Sequence, residues 1–427
     1  MRKLFLILAC TGTVIVVNAQ KAEDAFNSTE VSRIEKILSA DDMQGRNVFT
    51  PGIDKAAAFI AAEFEKAGLQ KLPGAATYLQ SFAMVKPKFI SLTATADGVA
   101  LDPKNIIVVT SKPEFTADEK SGYELVTIAK GAELFGEAYG AVSSGKNKLV
   151  MVDTSFTKNF PRLTYFKRQM MESNTNTVFI LGNTVPKVFA ITAIHEITKS
   201  SLSNVVGIIP GKSKKEEYVI FSGHYDHLGI GKPLNGDSIY NGANDDAAGT
   251  TAVIVLANYF GKLKNNERSI IFATFTAEES GGFGSQYFSR QFDPAKVMAM
   301  FNIEMIGTES KWGINSAYIT GYEKTDMGAI MEKNLAGTGF SFKPDPYPDQ
   351  QLFYRSDNAT LAKLGVPAHT ISTSKMDSEK FYHTADDEFE TLDMKNMTQI
   401  IKAIAISTKS IIAGNDTPTR VDTSALK

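Results

Sequence analysis

Three apolar runs in the second half of the chain each lead into histidine or carboxylate side chains. Short runs of this kind that alternate with helical segments are typical of strands in a largely parallel sheet. In such sheets, ligands bind at the carboxyl ends of the strands. We therefore predict that the polar residues after these runs form a site at one edge of a sheet. The runs and the residues that follow them are 219–221 with His224, 270–275 with Glu278, and 298–301 with Glu304.

The composition is that of a globular protein and argues against a nucleic-acid partner. The chain has 427 residues, enough for one large domain or two moderate ones. Its 45 basic residues nearly balance its 47 acidic residues, and the formal net charge of −2 favours neither nucleic acid nor an anionic membrane as a partner. Beyond the N-terminal segment, no apolar run is long enough for stable insertion into a bilayer.

The first 19 residues have the pattern of a cleaved signal peptide, which predicts a secreted or periplasmic protein. Arg2 and Lys3 form a basic start, residues 4–17 are apolar, and Ala19 ends a small-residue cleavage site. The single cysteine, Cys10, lies inside this segment, where the short apolar run before it disfavours lipid anchoring. Cleavage after Ala19 would leave a mature protein without disulfides or thiol chemistry.

The rest of the chain predicts an α/β domain that carries an insertion. Residues 20–90 and 204–414 have the pattern of a three-layer α/β/α fold with a mixed, mostly parallel sheet. Between them, residues 91–203 consist mainly of short β-like runs, which predicts an inserted, small β-rich subdomain. The polar tail over residues 415–427 is expected to be frayed. Helical spacing is found over residues 30–38, 53–67 and 394–413.

Two polar segments have residue types and spacing that suit a metal ion. His224 and Asp226 share a face of an extended strand end, so Asp226 could accept the spare imidazole N–H and fix the ring. A surface histidine beside an unrelated acid is the alternative. Asp245 and Asp246 precede an apolar helix, where capping explains one carboxylate more easily than two.

The remaining candidates are further acidic residues and a histidine that could bind a metal ion or act as a base beside it. Glu278 and Glu279 are adjacent and could divide the tasks of base and metal ligand, although a solvated loop is the simpler reading of a glutamate pair. Glu304 is an acid at an apolar strand end, where carboxylates are rare unless paired or bound to a metal. His383 follows Tyr382 and, taken alone, would be structural. Together these residues supply the histidine nitrogens and carboxylate oxygens of hydrolytic zinc sites, including a carboxylate that can bridge two ions.

In this order and with these residue types, the segments resemble the co-catalytic di-zinc aminopeptidases, peptidase clan MH, family 28. The resemblance covers roughly residues 41–392, includes Gly45-Arg46 near the start, and implies a zinc-exopeptidase-like fold with two zinc ions. The inserted segment resembles the protease-associated domain that several members carry at this place. The family also implies a cis peptide bond between Asp245 and Asp246.

The resemblance assigns a role to each candidate residue. One zinc would be bound by His224 and Glu304, the other by Glu279 and His383, and Asp245 would bridge the two ions. Glu278 would be the general base, Asp226 the partner of His224, and Tyr382 a stabiliser of the tetrahedral intermediate.

The chain departs from the family pattern at two positions. Glu304 stands where many members have aspartate, so we expect zinc ligation to survive with a shifted geometry. Asn358, in Ser356-Asp357-Asn358, stands where the pattern often has histidine, which should affect the substrate pocket and not the zinc ligands. His227 and His369 are assigned to the wall of the site or to the surface.

These observations predict a secreted zinc-dependent exopeptidase, most simply an aminopeptidase, that acts on peptide substrates. The same superfamily leaves a glutaminyl cyclase or a glutamate-carboxypeptidase-like enzyme as alternatives. A non-catalytic binding protein of the receptor type is the alternative from another class. Such proteins lose metal ligands, whereas all five ligand positions in this chain hold competent side chains.

Overall fold

The computed structural model describes residues 22–426, which form two compact units. The first unit combines the described residues up to Ser81 with the chain from Leu202 onward, and the second is Phe82–Ser201. The predicted signal peptide, its cleavage site and Cys10 lie outside the described residues. Within the described residues, no helix has the length and apolar character needed to cross a membrane.

The described residues form helices and strands in both units. The helices are α1 Ser28–Leu38, α2 Pro51–Lys66, α3 Leu134–Ser143, α4 Ala248–Leu263, α5 Phe283–Ser289, α6 Met327–Leu335, α7 Asn358–Ala362, α8 Met394–Ser407 and α9 Lys409–Ile412. The strands are β1 Leu79–Ala96, β2 Val99–Ala100, β3 Ile106–Val109, β4 Glu114–Asp118, β5 Glu124–Ile128, β6 Lys148–Val152, β7 Met170–Met171, β8 Thr177–Leu181, β9 Phe189–Ile209, β10 Lys214–His224, β11 Gly229–Leu234, β12 Asp237–Tyr240, β13 Arg268–Phe275, β14 Val297–Ile303, β15 Ser316–Ile319, β16 Ser341–Pro344 and β17 Ala368–Ser372.

The first unit is built on a mixed sheet with the strand order β16-β15-β17-β14-β10-β13-β9. Strand β10 runs parallel to both β13 and β14, and β14 runs parallel to β17. The pairs β13–β9 and β15–β17 are antiparallel. The predicted mixed, mostly parallel sheet is therefore confirmed.

Helices cover both faces of the central strands, which completes the predicted three layers. On one face, Phe221 stacks between Phe272 and Phe301 with ring-centroid distances of 5.7 and 5.4 Å, in a core shared with α1, α2, α4 and α8. On the other face, alternate residues such as Ile271 pack with Phe288 of α5 and with α7. A strand buried on both faces needs apolar side chains at successive positions, which explains the continuous apolar runs in the sequence.

Two of the predicted helices match the structure within two residues, and the third is interrupted. The spacing over residues 30–38 and 53–67 corresponds to α1 and α2. Helix α1 begins after Asn27, whose side chain accepts the N–H of Thr29. The run over residues 394–413 is divided at Thr408 into α8 and α9. The hydroxyl of Thr408 bonds back to the Ile404 carbonyl, a bond that competes with the regular helix ladder.

The second unit is rich in β-structure. Its four-stranded sheet has the order β3-β8-β6-β5, with β6 parallel to β5 and β8 and with β3 antiparallel to β8. Helix α3, which the sequence did not indicate, packs Leu134, Ala138 and Ala141 into the core of this unit. The unit starts at Phe82, before the predicted start at residue 91, because β1 is continuous and no loop marks the boundary. Its likeness to a protease-associated domain stays a prediction.

The prediction of a frayed tail over residues 415–427 is wrong for the described part of that segment. Val421 is buried, and its N–H donates to the carbonyl of Gly365. The Thr419 N–H donates to the Asp326 carboxylate at 2.7 Å, and Arg420 donates to the Val297 carbonyl at 2.7 Å. The acceptors lie far away in the sequence, so the polar composition of the tail could not indicate them.

The buried carboxyl of Glu35 on α1 predicts a pH-dependent stability. The Thr251 hydroxyl donates to it, and burial raises the pKa of Glu35 to about 8. Since the folded state holds this proton more tightly than the unfolded state, stability should fall as the pH rises from about 4.5 towards 8. We expect Glu35→Gln, which keeps an acceptor for Thr251, to exceed the wild type in stability at pH 8 by on the order of 1–3 kcal/mol.

Denaturant unfolding between pH 5 and pH 9 measures this difference. The exposed Glu65 provides the control, because Glu65→Gln should follow the wild type across the range. An equal gap between Glu35→Gln and the wild type at pH 5 and pH 8 would contradict the prediction.

Candidate functional site

The carboxyl ends of three adjacent strands bring the predicted residues together. His224 ends β10, Glu278 and Glu279 follow β13, and Glu304 follows β14. Because β13 and β14 flank β10 in parallel, these ends meet at one edge of the sheet. Asp245 joins them from the segment before α4, and His383 joins them from the loop between β17 and α8.

Asp245 lies between two histidines. Its Oδ1 is 3.2 Å from His224 Nε2, and its Oδ2 is 3.2 Å from His383 Nε2. Among the described residues, the buried atoms His224 Nε2 and Asp245 Oδ2 have no hydrogen bond of good geometry. Buried polar atoms without partners are costly, so these atoms need a ligand that the protein itself does not supply. A carboxylate whose two oxygens face different imidazoles has the geometry of a bridge between two ions.

The distances in this cluster fit ligands of zinc. Two atoms that bind one zinc ion at about 2.0–2.2 Å with tetrahedral angles lie about 3.3 Å apart. His383 Nε2 meets this value towards both Asp245 and Glu279, whose Oε2 is 3.3 Å away. His224, Asp245 and Glu304 likewise offer ligand atoms that all lie within 4.8 Å of one another. The residues therefore suit two zinc ions that share Asp245.

Asp226 contacts the site differently from the prediction. Its carboxylate is 3.8 Å from His224 Nδ1, whereas its backbone carbonyl is 3.1 Å from that nitrogen. The carboxylate instead accepts the N–H of Glu278 at 3.0 Å. The expected bond between the imidazole and the carboxylate is therefore corrected. The backbone carbonyl faces the ring, because the carboxylate has turned towards the segment after β13.

Tyr382 stacks on the ring of His383, with 3.9 Å between the ring centroids. It also lines a pocket with Glu304. Burial and the charge of Asp245 raise the pKa of Tyr382, so its hydroxyl keeps its proton at neutral pH. The pocket continues over Met305, Tyr318, Thr320, Leu352, Arg355, Ser356, Thr370, Ser372 and Met376.

The site contains more acidic than basic side chains. Burial raises the pKa of Glu278 well above its usual range, and it raises the pKa of Glu304 and of Asp226 to about 7. Burial opposes ionisation of Asp245 as well, but His224 and His383 hold the pKa of Asp245 below its usual range. Buried carboxyl groups that lie this close together are stabilised by positive charge, which divalent metal ions would supply.

A buried arginine holds the two segments that carry His224 and Asp245. Arg46 is fully buried. Within the described residues, its guanidinium donates hydrogen bonds only to backbone carbonyls. Two of these acceptors lie shortly before Asp245, and one follows His224 directly. The acceptors are the carbonyls of Leu38, Tyr225, Asn241 and Gly242.

Two further carboxylates fix the turn around Asp245. Asp246 accepts the N–H groups of His224, Gly249 and Met305, and thereby joins the ends of β10, α4 and β14. Asp387 accepts the N–H groups of Asn244 and Asp245. Backbone capping therefore accounts for Asp246, whereas the Asp245 carboxylate faces His224 and His383. The peptide bond between Asp245 and Asp246 is cis, which confirms the expectation from the family.

Gly249 permits the close approach of α4 to the sheet. A Cβ atom at this position would lie 2.1 Å from the Ile303 carbonyl oxygen and 2.4 Å from the Asp246 carboxylate. Any side chain there would push the start of α4 away from the strand end that precedes Glu304. Glycine is therefore required at this position for the site to assemble.

His227 and Asn358 make contacts that the sequence did not indicate. His227 lies in the wall of the site, and its Nδ1 is 2.9 Å from Glu279 Oε1. Asn358 is fully buried, where its amide donates to the carbonyls of Phe353 and Ala368, and it does not line the pocket beside Glu304. The group that does contact Glu304 is Ser356, whose hydroxyl donates to the Glu304 carboxylate. The only sequence signal for His227 was its position one residue after Asp226.

The role of Arg46 predicts a loss of zinc affinity on substitution. In Arg46→Lys, one ammonium group cannot reach four carbonyls, so stability should fall by on the order of a few kcal/mol. The segments of His224 and Asp245 should loosen as well, which would weaken zinc binding. Denaturant unfolding and zinc titration of the metal-free protein measure the two effects.

Arg268 provides a matched control. It is also buried and donates to the carbonyls of Ile411 and Asp416, but it lies at the opposite end of β13 from Glu278. Arg268→Lys should lower stability and leave zinc affinity unchanged. Equal zinc affinities for Arg46→Lys and Arg268→Lys would contradict the prediction.

Known proteins resemble this chain in sequence and in fold. Leucine aminopeptidase 1 of Ajellomyces capsulatus (strain H88) is 27% identical over 335 residues, which cover 71% of this chain and 82% of that protein. A probable leucine aminopeptidase of Trichophyton verrucosum is 29% identical over 222 residues, and the match covers 50% of this chain and 58% of that relative's length. The fold is shared with a zinc aminopeptidase from Bacillus subtilis, at 16% identity and a TM-score of 0.56 over 92% of this chain and 97% of that one. The model of peptidase family M28 matches residues 204–407, the segment that contains every predicted metal ligand.

Proposed function

We propose that this protein is a zinc-dependent aminopeptidase that releases residues from the N-termini of peptides. The observation that carries the proposal is the position of Asp245, with one oxygen 3.2 Å from His224 and the other 3.2 Å from His383. The match of residues 204–407 to the model of family M28, and the similarity to leucine aminopeptidases, support the same activity.

The five ligand candidates divide into two sets. His224 and Glu304 would hold one zinc, Glu279 and His383 would hold the other, and Asp245 would serve both. When bound, the ions supply Lewis acidity that polarises a substrate carbonyl and lowers the pKa of water. Ser356 would steady Glu304, because its hydroxyl donates to the longer carboxylate side chain that stands in place of the usual aspartate.

Glu278 would act as the general base. Its raised pKa suits a group that accepts a proton from the attacking water and returns it to the leaving amine as the C–N bond breaks. Asp226 would position this base by accepting the Glu278 N–H. The protonated hydroxyl of Tyr382 would donate a hydrogen bond to the oxyanion that forms on the carbonyl oxygen.

The basic and apolar N-terminus supports a proposal about location. Residues 1–19 would direct export, and cleavage after Ala19 would release the protein into the periplasm or the medium. A peptidase in either place would meet peptides from outside the cytoplasm.

A carboxypeptidase-like enzyme is the second candidate, and one observation favours it. Arg355 lines the pocket beside Glu304 and Tyr382, and it forms no ion pair with an acid in the described part of the chain. Its guanidinium donates to the Gln350 side-chain oxygen at 3.5 Å and retains donors that could bind a carboxylate of the substrate. Assays therefore need both free and blocked substrates.

The assignment of the base predicts the effect of Glu278→Gln. The variant should keep its zinc, since Glu279 and the other ligands are intact. It should lose activity by at least about 10²–10⁴-fold, the usual contribution of a positioned base. Metal analysis and turnover of an aminoacyl anilide measure the two properties, with the exposed Glu65→Gln as the control. Substantial turnover by Glu278→Gln would show that another group is the base.

The proposed activity predicts a metal content and a substrate pattern. The purified protein should contain two zinc ions per chain, lose activity with a chelator and regain it with zinc. It should cleave substrates with a free α-amino group and leave acyl-blocked ones intact. One zinc with cyclisation of N-terminal glutamine would indicate a cyclase, cleavage of blocked acidic peptides a carboxypeptidase, and neither activity a binding protein.

A further inference from the structure

We propose that His227 positions Glu279 for zinc binding without itself becoming a ligand. The inference rests on the proposed function, because it takes Glu279 and His383 to hold an ion. His227 is not one of the residues to which the family resemblance assigns a role.

The two oxygens of Glu279 face different histidines. Oε1 lies 2.9 Å from His227 Nδ1, a normal hydrogen-bond length, and Oε2 lies 3.3 Å from His383 Nε2. The Nδ1–H of His227 can therefore donate to Oε1 and leave Oε2 for the metal. This division favours ligation through one oxygen of Glu279.

The imidazole of His227 is held firmly enough to act as a support. Its side chain has 0% exposure to solvent. The backbone N–H of His227 donates to the Arg46 carbonyl, and the ring packs against Gly242. A Cβ atom at Gly242 would lie 2.5 Å from the His227 ring, so the ring occupies space that only glycine leaves free. Packing thus fixes the donor, while Glu279 is a flexible side chain that gains from being held.

The distances favour a supporting role over direct ligation. His227, Asp245 and Glu279 do offer atoms that lie within 4.8 Å of one another, as a metal site requires. Two ligand atoms of one zinc ion lie about 3.3 Å apart. The distance from His227 Nδ1 to Asp245 Oδ2 is longer, at 4.0 Å, and the distance to Glu279 Oε1 is shorter, at 2.9 Å. His383 Nε2 matches that spacing towards both carboxylates, at 3.2 and 3.3 Å. His383 is therefore the ligand, and His227 holds the carboxylate beside it.

Two substitutions separate the supporting role from ligation. The amide nitrogen of asparagine occupies nearly the place of histidine Nδ1, so His227→Asn keeps a donor for Glu279, whereas His227→Ala removes it. We expect His227→Ala to bind one of its two zinc ions about 10–100-fold more weakly than the wild type, as is usual when a partner of a metal ligand is lost. His227→Asn should restore most of this affinity. The affinities are measured by zinc titration of the metal-free full chain against a chromophoric chelator.

The absorption spectrum of the cobalt-substituted protein provides a readout that does not depend on activity. If His227 is not a ligand, His227→Asn should keep the wild-type visible bands, because the atoms around the metal are unchanged. His369→Ala is the control for loss of a buried imidazole, since His369 contacts the Thr320 carbonyl and the Thr325 hydroxyl. Thermal unfolding of each metal-free variant establishes that it is folded.

Each outcome supports or overturns the inference. Weaker zinc binding in His227→Ala, with rescue by His227→Asn and wild-type binding in His369→Ala, supports it. Wild-type zinc affinity in a folded His227→Ala overturns it. Failure of a folded His227→Asn to rescue, together with a changed cobalt spectrum, overturns it in favour of direct ligation. A wild-type protein that binds fewer than two zinc ions overturns the proposed function and, with it, this inference.

Discussion

The parallel pairing of β10 with β13 and β14 is the constraint on which the candidate site depends. It places the end of β10 at His224 beside the end of β13 at Phe275, and it brings the segment after β14 to the same edge. Pairing in the opposite direction would put these ends on different edges of the sheet. Because the three strands are buried on both faces, their register is set by the core, and the positions of the polar residues follow from apolar packing.

The loops at that edge need polar supports, since the apolar core ends there. Arg46 binds backbone carbonyls on the segments of His224 and Asp245, and Asp246 and Asp387 bind backbone N–H groups on the same segments. These buried charged groups therefore satisfy both kinds of backbone group around the turn, which would otherwise be costly in a dry environment. The arrangement also explains why so many acids occur near the site without all being metal ligands.

The same logic separates the residues that would bind metal from those that hold them. Asp245, Glu279 and the histidines His224 and His383 present atoms to a common space, whereas Asp226, Ser356 and His227 contact the backbone or the carboxylates behind them. Supports of this kind reduce the freedom of long side chains such as Glu279 and Glu304. That matters most for glutamate, whose extra methylene would otherwise allow several positions of the carboxylate.

The sequence by itself determined the layered α/β fold, helices α1 and α2, and the residue types of the five ligand candidates. These features follow from local periodicity and from side-chain chemistry at strand ends, both of which can be read along the chain. Tertiary structure alone decided which residues contact one another. It placed β13 between β9 and β10, which are consecutive in sequence, and it turned the Asp226 carboxylate towards Glu278. It also brought His227 to Glu279, buried Asn358 and attached the C-terminal tail, because each of these contacts joins positions whose spacing in the sequence carries no signal.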